Sequence, residues 1–225
     1  MILCIANVLS RDEVADLTAR LERVPFEDGR ATAGWNARQV KHNTQLPPGS
    51  PQARALARVV AAALRRNPVF ELAVRPKAVR PILFARYEPG MQYGTHVDDA
   101  VMRSSASRAT RSDVSFTLFL ADPASYDGGE LVMESPQGEQ AFKLDPGSLV
   151  TYPSSSLHRV EPVTRGVRLV AVGWAQSLVR DPARRELLFD LDTARRTLFE
   201  RHGKTREFDL LSKTFTNLLR MWAEP

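Results

Sequence analysis

The sequence predicts a mainly β fold with flanking helices, and three observations support this fold class. Seven short segments between residues 78 and 176 alternate apolar and polar residues, as strands with one buried face do. Turns rich in Gly, Pro and Asp separate them, such as Pro89-Gly90 and Asp127-Gly128-Gly129. Helical patterns precede and follow this region. Short strands at regular spacing indicate a sandwich or barrel, with a jelly roll as the leading candidate.

The predicted strands define three parts of the chain. They cover residues 78–87, 114–121, 129–135, 140–144, 147–153, 158–163 and 167–176. Residues 34–46 alternate only weakly and form either a further strand or the wall of a pocket. We therefore expect an N-terminal helical or mixed part packed on the core (1–77), a jelly-roll domain (78–177) and a C-terminal helical extension (178–225).

Helix signals explain the two flanking parts. Ser10 and Glu13 form a capping box at the start of a first helix. A second helix begins at Ser50-Pro51 and is predicted to end at Asn67-Pro68. A final helix carries one apolar face, made of Leu211, Phe215, Leu218 and Trp222. This face makes a homodimer through the C-terminal helices a candidate assembly.

Composition narrows the class of protein. The chain has 225 residues, 43% of them hydrophobic and 25% charged, as is typical of a folded globular protein. Its only cysteine, Cys4, excludes an internal disulfide and a thiolate zinc cluster, and suits a reducing compartment. The N-terminus has no basic leader, and no apolar run approaches the length of about 18 residues that a membrane helix needs. We expect a cytoplasmic protein with no membrane partner.

The stretch YGTHVDDAV (93–101) contains the first candidate functional residues. In a strand, residues i and i+2 point to the same side, so His96 and Asp98 present an imidazole and a carboxylate together. Val97 then faces away, and Asp99 is out of phase, as a satisfied turn residue is. Such polar groups are rarely buried unless they are paired or bound. The pair therefore predicts two ligands of a divalent metal.

A third ligand must come from elsewhere in the chain. His158 begins a strand in the β-rich region, whereas His202 lies in a charged helical tail. His42 lies in the N-terminal part, where a structural role is the simpler interpretation. His158 is therefore the predicted third ligand. Two histidines and one carboxylate are typical of non-haem Fe(II) oxygenases, but zinc hydrolases use similar ligands, so the triad alone leaves the metal open.

Arg168 favours one of these chemistries. It stands ten residues after His158, in a segment that is otherwise apolar. A guanidinium in a β core is costly unless it meets a carboxylate, which its planar fork binds through two hydrogen bonds. Beside the metal, Arg168 would hold the far carboxylate of a dicarboxylate whose other end chelates iron. That ligand would be 2-oxoglutarate.

The pattern of these four residues resembles the Fe(II)/2-oxoglutarate dioxygenases of the prolyl-4-hydroxylase-like branch. Through nearly the whole chain, segments such as VKHNTQL, RYEPGMQYGTHVDDAVM and SFTLFLADPASYDGGELV are similar to bacterial PKHD-type hydroxylases. The resemblance implies a double-stranded β-helix, the jelly-roll form of these enzymes. It implies His96, Asp98 and His158 as metal-binding and catalytic residues, and Arg168 as the 2-oxoglutarate ligand. It also implies Fe(II), 2-oxoglutarate, O2 and L-ascorbate as cofactors.

The activity that the resemblance implies is hydroxylation. An unidentified small molecule or protein is hydroxylated while 2-oxoglutarate is decarboxylated to succinate and CO2, and the family's association suggests a link to iron uptake. Tyr87 and Tyr93 are weaker candidates for a hydrogen bond to 2-oxoglutarate. Collagen-type prolyl hydroxylases typically use lysine where Arg168 stands, which weakens any transfer of their peptidyl-proline substrate to this chain.

Two other functions stay open on the sequence. A cupin-like metal-binding or sensing protein without turnover would not need Arg168. A nucleic-acid oxidative demethylase is suggested by the net charge of +5. It would need a basic groove with aromatic stacking platforms, and the sequence has no such interleaved cluster, so nucleic acid is not the expected partner. Residues 103–113, with Arg103, Arg108 and Arg111, are either a lid over the iron or a solvated loop.

Overall fold

The computed structural model describes residues 1–104 and 107–225, without the side chains of residues 103, 104, 107 and 108. The helices of this described part are α1 (Arg11–Leu21), α2 (Pro51–Arg66), α3 (Pro68–Val74), α4 (Pro182–His202) and α5 (Arg206–Trp222). Its strands are β1 (Leu3–Ile5), β2 (Glu27–Asp28), β3 (Lys41–His42), β4 (Thr44–Gln45), β5 (Pro76–Tyr87), β6 (Gln92–His96), β7 (Val101–Ser104), β8 (Ser107–Arg111), β9 (Val114–Phe119), β10 (Asp127–Gly128), β11 (Leu131–Ser135), β12 (Gly138–Phe142), β13 (Leu149–Pro153), β14 (His158–Val160), β15 (Val163–Arg165) and β16 (Arg168–Ser177).

Two antiparallel sheets form the core. The larger sheet has seven strands in the order β1-β13-β9-β16-β5-β4-β2, and the smaller has five in the order β12-β11-β14-β6-β3. One buried cluster combines Phe119 and Val170 of the larger sheet with Leu131 and Val160 of the smaller sheet. The sheets therefore face each other across a shared core, as in a jelly roll. The predicted fold class is confirmed.

The N-terminal helices cover the outer face of the larger sheet. Helix α1 starts with the predicted capping box, in which Ser10 and Glu13 exchange hydrogen bonds of 2.8 and 3.2 Å. Buried residues of α1, α2 and α3 pack in one cluster with Phe84 and Phe116 of the larger sheet. Strand β9 is consequently enclosed on both faces, and all six of its residues are buried. The larger sheet is therefore a rigid support for functional side chains.

Several elements depart from the sequence pattern. Residues 34–46 supply β3 to the smaller sheet and β4 to the larger one, so this segment joins the two sheets. The single strand predicted over 158–163 is two strands, β14 and β15, because they pair with different neighbours. Helix α3, which was not predicted, starts directly after α2. The Asn67 side chain accepts a hydrogen bond of 3.0 Å from Phe70 N and caps it.

The C-terminal extension is a pair of helices. On the predicted apolar face of α5, Phe215 is buried against Val179 and Leu188, with Leu218 and Trp222 packed beside it. None of the helices among the described residues is long and apolar enough to cross a membrane. The division of the chain at residues 77/78 and 177/178 stays a prediction.

Candidate active site

The three predicted metal ligands come together between the sheets. His96 ends β6 and His158 begins β14, and the two residues are direct partners across these antiparallel strands. Their ring centroids are 4.3 Å apart, and His158 Nε2 lies 3.8 Å from Asp98 Oδ2. Ligand atoms of His96, Asp98 and His158 all lie within 4.8 Å of one another, which suits one shared metal ion.

Asp98 joins this group from outside a strand, whereas the sequence analysis placed His96 and Asp98 on the same strand. Strand β6 ends at His96, so Asp98 lies two residues beyond it rather than on the same strand. Val97 is 45% exposed and points away from the site, as expected. Asp99 is exposed and lies outside the group of potential ligands.

Backbone carbonyls orient both imidazoles. His96 Nδ1 lies 2.9 Å from the carbonyl oxygen of Gly94, and His158 Nδ1 lies 3.0 Å from that of Ser156. Each Nδ1–H donates to its carbonyl, which leaves the Nε2 lone pair available for a metal. Burial, reinforced by His158, lowers the pKa of His96 to about 4. The ring of His96 is therefore neutral near pH 7, as a metal ligand must be.

The carboxylate of Asp98 is also held in place. Ser115, in β9 of the larger sheet, donates a hydrogen bond of 2.6 Å to Asp98 Oδ2. A hydrogen bond of 2.8 Å joins the hydroxyls of Ser115 and Ser154, and all three groups are at least partly buried. Sequence reasoning missed both serines, because a serine in a strand has no signal that separates this role from ordinary packing.

Aromatic rings enclose the imidazoles. Tyr93 stacks on His96 with ring centroids 3.6 Å apart, and Tyr152 meets His158 edge to face at 5.0 Å. Burial raises the pKa of Tyr93 and that of Tyr152 far above the ordinary tyrosine value, with Asp98 adding to both shifts. Both phenols are therefore neutral hydrogen-bond donors. Tyr93 was predicted near 2-oxoglutarate, and the structure places it against a metal ligand.

Arg168 is buried inside the same core. Its side chain is 1% exposed, and its Nε and Nη1 atoms have no hydrogen-bond partner among the described residues. The guanidinium lies 4.9 Å from the ring of Tyr87 and 5.7 Å from that of Phe119. Tyr87, Phe119 and Tyr152 belong to one buried cluster, and Tyr152 meets His158 at 5.0 Å, so the guanidinium and the triad border the same core. An unpaired buried cation is rare in native proteins and calls for a bound anion.

Tyr126 adds a second unpartnered group beside Arg168. A Cβ built on Gly129 would lie 3.0 Å from Arg168 Cδ and 3.2 Å from Tyr126 Cε2, so both side chains flank this glycine. The Tyr126 hydroxyl is buried with no partner in the described part of the chain. The buried Tyr87 ring faces Arg168 from the neighbouring strand β5. The sequence did not indicate that Tyr126, beside the turn at Asp127-Gly128-Gly129, lies next to Arg168.

Lys41 is a further charged residue that sequence reasoning missed. It lies in β3, is 6% exposed, and its Nζ donates a hydrogen bond of 2.9 Å to Thr32 Oγ1. Burial lowers the pKa of Lys41 to about 8, while the carboxylates of Asp98 and Asp28 oppose that shift. The only sequence feature that pointed to Lys41 was its place in the weakly alternating segment 34–46, predicted as a strand or the wall of a pocket.

The remaining candidates lie apart from the triad. His42 is exposed and its Nδ1 lies 3.2 Å from the carbonyl oxygen of Gly90, while His202 is exposed at the end of α4. The predicted lid at 103–113 includes residues 105 and 106 and the side chains of Arg103 and Arg108, which lie outside the described residues. Arg111 is described, and it pairs with Asp113 at 2.7 Å and with Glu224 at 3.1 Å.

Comparison with known proteins decides the family. Over 224 residues and the full length of both chains, the protein is 56% identical to a PKHD-type hydroxylase of Synechococcus sp. (strain JA-2-3B'a(2-13)) and 53% identical to one of Crocosphaera subtropica. The chain belongs to the PKHD-type hydroxylases. The family model of the 2OG-Fe(II) oxygenase superfamily matches residues 82–176, and that of the PKHD-type hydroxylase C-terminal domain matches residues 182–224.

Solved structures show that PKHD-type hydroxylases share a wider fold. A Pseudomonas putida prolyl-4-hydroxylase is 24% identical, with 78% of this chain and 92% of that chain covered and a TM-score of 0.54. The carbocyclase SnoK of nogalamycin biosynthesis is 16% identical, with 80% and 82% covered and a TM-score of 0.56.

The predicted reaction class is confirmed by family membership. The protein is a 2-oxoglutarate-dependent dioxygenase and hydroxylase, with Fe(II), 2-oxoglutarate and O2 as cofactors. PKHD-type hydroxylases use L-ascorbate as well. The triad and the unpaired guanidinium fit this set, since they supply neutral imidazoles and a carboxylate for iron and a cation for a dicarboxylate.

Proposed function

We propose that this PKHD-type hydroxylase holds Fe(II) through His96, Asp98 and His158 and binds the far carboxylate of 2-oxoglutarate through Arg168. The observation that carries the proposal is the guanidinium of Arg168, which is 1% exposed and whose Nε and Nη1 have no hydrogen-bond partner among the described residues. A hydrophobic replacement would be cheaper for folding alone, so the unpaired cation is best explained by a bound carboxylate. The substrate that is hydroxylated is a small molecule or a protein.

Each side chain has a separate task in this arrangement. The two Nε2 atoms and the Asp98 carboxylate would hold Fe(II), and three protein ligands would leave room for the co-substrate and O2. Arg168 would orient the 2-oxoglutarate chain through its far carboxylate, and the Tyr126 and Tyr87 hydroxyls would donate to the same group. Bound Fe(II) and 2-oxoglutarate supply the oxidation itself, which couples loss of CO2 and formation of succinate to hydroxylation of a C–H bond.

A spectroscopic titration tests this proposal without knowledge of the substrate. Anaerobic addition of 2-oxoglutarate to the Fe(II)-loaded protein should give a weak visible charge-transfer band, because the keto acid chelates the metal. The Arg168→Ala variant should lose the band at 2-oxoglutarate concentrations that saturate wild type, while it still binds Fe(II). Arg165→Ala is the matched control, since Arg165 is exposed and pairs with Asp127 at the surface. A wild-type protein that binds iron without the band, or an Arg168→Ala variant that keeps it, contradicts the assignment.

Location and assembly are further proposals. The single cysteine, Cys4, supports a reducing compartment such as the cytoplasm. Exposed apolar side chains on the C-terminal helices, Leu187, Phe199 and Met221, support a homodimer through α4 and α5. Light scattering after gel filtration tests the dimer, and a monomeric mass at micromolar concentration contradicts it. The link to iron uptake stays a prediction.

A further inference from the structure

An open cavity lies beside the smaller sheet, at strands β3 and β6. Its volume is about 860 Å³, and its charged and polar lining includes Asp28, Arg30, Arg38, Lys41, His42 and Gln92. Asp28 is already neutralised, since it accepts a hydrogen bond of 2.8 Å from Arg30 Nε. Arg38 donates to the carbonyl oxygen of Arg30 and makes no ion pair with the residues that the structure describes. The cavity therefore carries surplus positive charge.

Lys41 is the buried member of this lining. It is 6% exposed, and within residues 1–104 and 107–225 its ammonium has one hydrogen bond, to the Thr32 hydroxyl, and no ion pair. A buried ammonium has three donor hydrogens and is rarely left without a carboxylate or another anion. Two donor positions of Lys41 thus have no hydrogen-bond acceptor in this part of the chain. They point to a ligand rather than to packing alone.

The position of Lys41 links the cavity to the metal site. Lys41 is the cross-strand partner of Tyr93, and its Nζ lies 5.0 Å from the centre of the Tyr93 ring. That ring stacks on His96 at 3.6 Å. The Lys41 ammonium and the predicted metal ligand His96 therefore both contact the ring of Tyr93.

We propose that the hydroxylated substrate carries an anionic group, a carboxylate or a phosphate, and that Lys41 and Arg38 bind this group in the cavity that they line. The inference rests on the proposed function, because it identifies the cavity as the substrate site of the same metal centre. Lysine supplies a buried point charge and arginine an exposed fork at the rim, a combination that both anions can use. A neutral substrate would leave the ammonium of Lys41 unpaired in the complex.

Amide NMR tests the inference with defined probes. The protein is labelled with ¹⁵N, loaded with Zn(II) and with N-oxalylglycine to fill the 2-oxoglutarate site, and titrated at constant ionic strength. The probes are glutarate, phenyl phosphate and the uncharged glutaramide. We expect saturable shifts at the amides of residues 38–42 and Gln92 with at least one anion, and none with glutaramide. Glutarate alone would indicate a carboxylate substrate, and phenyl phosphate alone a phosphorylated one.

Variants separate a specific site from general attraction. Lys41→Met should weaken anion binding by at least about tenfold, and Lys41→Arg should retain it, because the positive charge is kept. Arg38→Gln, at the exposed rim, should weaken it by about threefold, which gives a second measurement if Lys41→Met fails to fold. Lys213→Met is the matched control on α5, and it should bind the anion as wild type does. The inference is wrong if neither anion gives saturable shifts, or if both Lys41→Met and Arg38→Gln bind like wild type.

Two other results have distinct meanings. If Lys41 instead served 2-oxoglutarate, the N-oxalylglycine-loaded protein would not bind glutarate or phenyl phosphate, and Lys41→Met would weaken the visible band; this outcome overturns the inference. If the band is absent from wild type, the assignment of Arg168 fails whatever the anions do. A wild-type protein with the band but without anion binding removes only the inference about the substrate.

Discussion

Two buried charges in this protein have opposite surroundings. Asp192, in α4, has a fully buried side chain, and its two oxygens accept hydrogen bonds of 2.9 Å from Arg195 Nε and 2.8 Å from Arg196 Nε. Arg168, in β16, is 1% exposed, and its Nε and Nη1 have no partner among the described residues. The Asp192 carboxylate accepts hydrogen bonds from its own helix, whereas the Nε and Nη1 groups of Arg168 lie in the core without an acceptor among the described residues.

The difference separates structural from functional polar groups. Burial raises the pKa of the Asp192 carboxyl, but hydrogen bonds from Arg196 and Arg195 outweigh it and hold the pKa below its ordinary value. The folded chain therefore stabilises this charge itself. Arg168 gains no such hydrogen bonds through Nε and Nη1, so its charge weakens the folded state until an anion binds. Substitutions at the two positions should consequently affect stability and function in opposite ways.

The largest expected effect is on turnover, at the metal triad. His158→Ala should reduce 2-oxoglutarate turnover by about 10³-fold or more, because the metal loses a ligand. Isothermal titration with Fe(II) under anaerobic conditions should show the matching loss of affinity. His202→Ala is the control, since His202 is exposed at the end of α4 and outside the triad. Equal iron affinity in wild type and His158→Ala would contradict the assignment.

Removing the satisfied charge should reduce stability. Asp192→Asn should lower the free energy of unfolding by about 2 kcal/mol, because the buried carboxylate loses its charge-assisted hydrogen bonds from Arg195 and Arg196. Urea denaturation followed by circular dichroism measures this change. Asp190→Asn is the control on the same helix, and it should stay within about 0.5 kcal/mol of wild type. Full 2-oxoglutarate binding should remain in the folded fraction of Asp192→Asn.

Removing the Arg168 charge should weaken 2-oxoglutarate binding without reducing the stability of the apoprotein. Arg168→Met, which keeps much of the side-chain volume, should weaken 2-oxoglutarate binding by about 100-fold while the free energy of unfolding of the apoprotein stays equal or rises. Denaturation without 2-oxoglutarate and titration with it separate the two effects. A large loss of apoprotein stability in Arg168→Met would show that the guanidinium is satisfied by the fold, and would remove the contrast with Asp192.

A smaller effect is expected where a side chain only orients a ligand. Ser115→Ala should lower Fe(II) affinity by about tenfold, because the Asp98 carboxylate loses its hydrogen bond of 2.6 Å. Ser156→Ala is the control, because the hydrogen bond that Ser156 makes with His158 uses its backbone carbonyl, which the substitution keeps. Unchanged iron affinity in Ser115→Ala would mean that backbone geometry alone positions Asp98.

The smallest effect is a pH dependence at Asp192. Its folded pKa lies below the unfolded value of about 3.9, so its stabilisation is fully present above that value. The stabilisation is lost as the pH falls through the lower, folded pKa. The stability difference between wild type and Asp192→Asn should therefore shrink at acid pH. A difference that is constant from pH 7 to pH 3 would contradict this view of the charge.

The sequence supported the predictions that depend on residue type and spacing. Strand alternation and turns predicted the two-sheet core, and Ser10 with Glu13 marked the start of α1. His96, Asp98 and His158 could be found because few other residue types bind iron, and Arg168 because a charged residue interrupts an apolar strand. Asn67-Pro68 ended α2 as predicted, but the same two residues also begin α3, which one local signal cannot distinguish.

Other features depend on which residues meet in space. The sequence by itself determined the strand periodicity, the helix caps and the chemical types available for a metal and a dicarboxylate. Only the tertiary structure decided that Ser115 donates a hydrogen bond to Asp98 and that Tyr126 lies beside Arg168. It also decided that Lys41 and His96 contact the same ring, that of Tyr93. The physical reason is that a hydrogen bond or an unpaired charge is defined by neighbours distant in sequence. Local patterns do not contain those neighbours, and sheet pairing brings them together.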